Sequence, residues 1–70
     1  VSGEEKLIYE QLIELLERLP HGYRTVFNMY VIEGYTHSEI SEKLGITEST
    51  SKTQLFKARK QLQNWMKREG

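Results

Sequence analysis

HSEISEKLGITESTSKTQLFKARKQL, residues 37–62, is the stretch whose reading decides the fold. Its first part places Ile40 and Leu44 four residues apart, halts at Gly45, and resumes after Thr47 with a second periodic pattern. A glycine at that point supplies the positive φ that a tight turn between two helices needs. In the second pattern Ser51, Leu55, Ala58, Leu62 and, just beyond the stretch, Trp65 advance by four and three alternately. At 100° per residue they fall within about 40° of one line, a narrow inward seam. The opposite half-cylinder holds Ser49, Lys52, Thr53, Phe56, Lys57, Lys60, Gln63 and Lys67. Phe56 is the odd member, because neither solubility nor core packing explains an outward aromatic among lysines.

A short helix, a turn containing Gly and a longer second helix make a helix-turn-helix unit, here over about residues 36–67. Thr36 and Glu39 predict a capping box at the start of the first of these helices, with Ile40 and Leu44 inward. Ser41 is small where the two helices cross. Ile46 is expected to plug the turn into the core, and Thr47 to cap the last helix, which runs to about Lys67. Ser51 is the polar member of the seam; either the seam is underpacked there or its hydroxyl bonds back to the preceding turn.

Working outward, two more helices precede this unit. The first runs from about Glu4 to Leu19, with Ser2 and Glu5 as a capping box and Leu7, Ile8, Leu12, Leu15, Leu16 and Leu19 on one face. Pro20 cannot continue that ladder and suits the first turn of the next helix, Pro20 to Glu33. There Tyr23, Val26, Phe27, Tyr30 and Val31 follow an inward helical stripe, and Gly34 is a left-handed stop. Tyr23, Tyr30 and Trp65 are read as core.

Seventy residues make a single domain over 1–70, small enough that folding buries only about 60% of the unfolded surface. The chain opens on Val1 rather than Met, from which we expect a piece of a longer protein. It has no Cys, and His21 and His37 lack partners at metal-ligand spacing, so no metal or other cofactor is expected. No Ser/His/Asp arrangement, Gly-rich phosphate loop or paired acids support catalysis, and we expect no enzyme. The net charge of zero conceals a split. Residues 1–48 carry four Lys/Arg against nine Glu, a net of −5, and residues 49–70 carry six Lys/Arg against one Glu, a net of +5. A polyanion responds to the local patch rather than to the sum. Matching of charges to helix dipoles explains Lys67 and Arg68 but not Lys52, which lies in the first turns of its helix.

Several segments together resemble region 4 of extracytoplasmic-function sigma factors: Leu19-Pro20-His21-Gly22-Tyr23-Arg24, Glu33-Gly34-Tyr35-Thr36, Glu39-Ile40, Leu44-Gly45-Ile46, and Thr50 through Arg59. The resemblance spans Leu7 to Leu62. It implies binding to the minus-35 promoter element and docking on the flap of the RNA polymerase β subunit. It further implies DNA-facing roles for Lys52, Thr53, Phe56 and Lys57, with Ser49 and Thr50 near phosphates. The helical wheel independently places all of these except Thr50 on the outer arc. Ser51 departs from the family, which commonly has a branched aliphatic there.

The expectation is therefore an all-α, four-helix domain ending in a helix-turn-helix, of the winged-helix-like DNA-binding class without a wing. It would read duplex promoter DNA in the cytoplasm as a monomer tethered to polymerase, with an anti-sigma factor as a further partner. Lys60 and Arg24 are additional DNA candidates, as is His37, because backbone N–H groups at a helix start suit phosphate. Arg24 could equally form an internal ion pair, and Arg59 one with a Glu of the first two helices. The rivals are a response-regulator output domain and a helical protein-interaction module. A final separate dimerisation helix would favour the former, and an acidic protein partner for the basic face the latter.

Overall fold

The computed structural model describes residues 2–69, which form four α-helices: α1 Gly3–Arg18, α2 His21–Phe27, α3 His37–Leu44 and α4 Glu48–Glu69. A π-helical turn, Asn28–Ile32, continues α2, and no strand occurs among the described residues. α4 is the central strut, against which α1, α2 and α3 all pack. The core gathers Leu15, Leu16 and Leu19 from α1 and its end, Val26 and Phe27 from α2, Ile40 from α3, and Leu55, Ala58 and Leu62 from α4.

Ser2 caps α1, its Oγ accepting the Glu5 N–H at 3.1 Å, so the hydroxyl arm of the expected box is present. Only the second half of the expected apolar face is used. Leu7 and Ile8 are 55% and 60% exposed, against 4% for Leu15 and Leu16. The residues of α1 that meet the rest of the fold, Leu12, Ile13, Leu15 and Leu16, all lie in its second half, so no packing surface stands opposite its first turns. After Leu19 the chain is extended, and Pro20 is the N-cap of α2 rather than part of its first turn.

The expected second helix to Glu33 is also corrected. Regular α-helix stops at Phe27, and the next turn is wide, with the Glu33 N–H donating to the Asn28 carbonyl five residues back at 2.9 Å. Each residue of a wider turn rotates through a smaller angle, so the inward stripe loses register. Tyr30 and Val31 face outward instead of joining the core, while Met29 and Tyr35 pack against it. Gly34 closes the turn with φ 79°, as expected of a left-handed stop.

α3 carries the full capping box: Glu39 N–H donates to Thr36 Oγ1 (3.1 Å) and Thr36 N–H to Glu39 Oε1 (3.0 Å). The Thr36 N–H, and after it the Thr36 hydroxyl, hold the Glu39 carboxyl below its ordinary value. Ile40 is fully buried, but Leu44 is more than a third exposed. Leu44 is the last residue before Gly45 (φ 67°) reverses the chain, and partly buried Ile46 packs on the core from the far side of the turn. The molecule measures 39 × 25 × 14 Å. α4 is covered on the side that carries Ser51, Leu55, Ala58 and Leu62 and open on the other, where Lys52, Phe56, Lys57 and Lys60 are exposed.

Candidate nucleic-acid interface

The open face belongs to α4. Thr47 starts it, with Oγ1 accepting the Thr50 N–H at 3.0 Å and the Thr47 hydroxyl donating to Thr50 Oγ1 at 2.9 Å. This cap satisfies one of the first turn's orphan donors and fixes where the helix begins. The inner seam then sets its rotation: Ser51, Leu55, Ala58 and Leu62 are buried, and Trp65 is half-buried against the core. Once those side chains face inward, helical geometry turns Ser49, Lys52, Thr53, Phe56, Lys57 and Lys60 outward, and all are exposed.

Phe56 leaves 66% of its surface in water. Among the described residues, Lys52, Lys57 and Lys60 have no acidic partner within ion-pair distance. Three uncompensated ammonium groups around an apolar ring fit a surface that offers charge to phosphates and an apolar contact to a base edge. From Lys52 to Lys60 the helix rises about 12 Å. That spans three to four base-pair steps of about 3.4 Å. A helix of this diameter fits a major groove about 12 Å wide.

Beside the start of α4 lies a shallow, open groove lined by Tyr30, Thr36, His37, Ser38, Glu48 and Lys52. His37 is half-buried here and turned toward protein. Its Nδ1 lies 2.8 Å from Ser51 Oγ, and its ring stacks on Tyr30 with centroids 4.5 Å apart and planes 20° from parallel. Ser51 thus neither leaves a gap nor bonds back to its own helix; it pairs across to α3. Arg59, expected to meet a Glu, instead sits over the Tyr30 ring at 6.0 Å. Lys43 lies over Tyr35 at 4.8 Å.

The sequence candidates therefore divide. Ser49, Lys52, Thr53, Phe56, Lys57 and Lys60 share one face, and exposed Thr50 adjoins it at the capped end of α4. Arg24 does not join them: its Nη1 donates to the Glu17 carbonyl at 3.2 Å, closing the orphaned C-terminal turn of α1. His37 stands at the edge of the face with its ring committed to Ser51 and Tyr30. That pair escaped sequence reasoning because its members are fourteen positions apart. The one available signal was a hydroxyl on an apolar seam, which has to find a partner when buried. Among the described residues no group of His, Asp or Glu could hold a metal, and no helix is long and apolar enough to cross a membrane.

The family described as sigma-70, region 4, matches the chain over residues 9–62. No curated protein and no solved structure matches it.

Proposed function

The chain belongs to the sigma-70 region 4 family, and from that premise we propose how its side chains divide the work of promoter recognition. Region 4 is the minus-35 DNA-binding part of a sigma factor, acts together with RNA polymerase, and is a DNA-binding rather than a catalytic family. α4 is the recognition helix in this reading, laid in the major groove while α3 crosses the backbone. Lys52, Thr53, Phe56 and Lys57 meet base edges; Ser49, Thr50 and Lys60 meet phosphates and set the register. Arg24 and His37 serve the fold and are not counted among the contacts.

One observation carries the assignment: the exposed, unpaired cations and the exposed aromatic occupy a single arc of a helix whose other arc is buried. The acidic half takes the protein-facing role. Exposed Leu7, Ile8, Val31 and Ile32 lie there, and a groove between Ile13, Arg24 and Ile32, flanked by Glu17 and Glu33, supports docking to the β flap or to an anti-sigma factor. The extracytoplasmic-function subgroup, a cytoplasmic site of action and a monomeric free domain belong to the same proposal.

The test reverses charge on the arc. Changing Lys52 and Lys57 to Glu in the sigma factor should abolish minus-35 protection by the holoenzyme while leaving the circular dichroism and core-polymerase binding intact. Undiminished protection by that variant would defeat the assignment.

A further inference from the structure

We propose that His37 is a positioning residue for the recognition helix. By bonding Ser51 it sets the rotation of α4 against α3, and thereby the discrimination between promoter sites, without touching DNA itself. The inference rests on the DNA reading above and adds a mechanism to it.

The packing that joins α3 to α4 is mostly apolar and, being non-directional, tolerates small rotations. Among the described residues, the His37 Nδ1 to Ser51 Oγ bond, at 2.8 Å, is the side-chain hydrogen bond that joins these two helices. Ser51 has no exposed surface, so its hydroxyl cannot exchange this partner for water. The ring cannot swing freely either, since Tyr30 stacks on its face at 4.5 Å. Arg59, two helical turns along α4 from Ser51, lies over the same Tyr30 ring at 6.0 Å, a second and weaker contact between this stack and α4. The π-helical turn at Asn28–Ile32 is what turns Tyr30 out of the core and into this stack.

Lys52 and Thr53 directly follow Ser51 in the chain. A rotation of about 10° around a helix of about 6 Å radius moves a side-chain tip by roughly 1 Å. A shift of that size spoils a hydrogen bond to a base edge, which weakens steeply with misalignment, and barely affects a screened attraction to phosphate.

The experiment uses holoenzyme assembled with the complete sigma factor and duplexes randomised over the minus-35 element, with bound sequences read out by sequencing. His37→Phe keeps the stack and loses the bond; Ser51→Ala loses the bond from the other side; His37→Asn returns an amide near the position of Nδ1. Folding of each variant is checked by thermal unfolding, and selection is run well below the lowest midpoint. We expect His37→Phe and Ser51→Ala each to reduce best-site enrichment about ten-fold, the scale of one lost base contact, with total binding retained. The double variant should lose no more than either single one, and His37→Asn should recover most of the enrichment. Unchanged enrichment in folded His37→Phe would overturn the proposal. So would a uniform loss of affinity across all sequences, the mark of a direct phosphate contact. If the unmodified protein itself enriched no minus-35 sequence, the DNA reading would fail and this inference with it.

Discussion

Phe56 leaves most of its ring in water beside Lys52, Lys57 and Lys60, where it contributes little to the core. Phe56→Ala should leave the unfolding free energy within about 0.5 kcal/mol of the parent, as for other surface changes. The same variant should weaken discrimination at one minus-35 position, measurable by competition between promoter duplexes in the holoenzyme. Glu39 gives a pH prediction at the same scale. Its folded-state value is depressed by the Thr36 N–H and hydroxyl, so its contribution is fully present above the ordinary carboxylate range. That contribution disappears as pH falls through the depressed value. Glu39→Ala should therefore be less stable than the parent near neutrality and indistinguishable from it in strong acid, as read by urea unfolding at a series of pH values. Both residues were legible in the sequence, Glu39 through its spacing from Thr36 and Phe56 through its place on the wheel. The His37–Ser51 bond was not, because no local rule links residues on different helices.

α4 is the element whose sequence and structure agree most closely, and α2 the one where they part. The seam of α4 needs only a period and a partner surface, and α1, α2 and α3 all pack on that helix. Ala58 lies on that seam with no exposed surface. Ala58→Leu should destabilise the domain by about 1–3 kcal/mol through overpacking, seen as a lowered thermal midpoint. An equally large effect of an outer-arc change such as Lys57→Leu would show that α4 is packed on both faces. In α2, the pattern Val26, Phe27, Tyr30, Val31 fits an uninterrupted helix. The chain instead spends an extra residue in a π turn, packing partly buried Met29 and Tyr35 against the core and leaving Tyr30 for His37. Helical periodicity assumes a constant rotation per residue, so it cannot register a single widened turn. In α1 the period was right and the extent of its use was wrong, since burial depends on what lies opposite.

At the scale of the molecule, a net charge of zero with a basic face predicts modest DNA affinity for the domain alone. If about four to six phosphates are neutralised, log K should fall against log salt with a slope of roughly −4 to −5, measurable by fluorescence anisotropy. A slope near zero would mean that the arc does not engage the backbone. In the proposed reading, useful affinity comes from tethering to polymerase, which raises the effective concentration of the domain at the promoter. The flat shape suits this division, with one broad side able to face DNA while the acidic, partly apolar remainder stays available to protein.

By itself the sequence determined the helical class, the capped starts at Ser2, Thr36 and Thr47, the glycine stops, and which arc of α4 would be exposed. Each of these follows from interactions within a few residues, where backbone geometry dictates the neighbours. Tertiary structure alone decided how much of α1 is covered, where α2 widens, and which partners Arg24, His37, Ser51 and Arg59 take. Those outcomes depend on surfaces brought together from distant parts of the chain, whose distances no local spacing encodes.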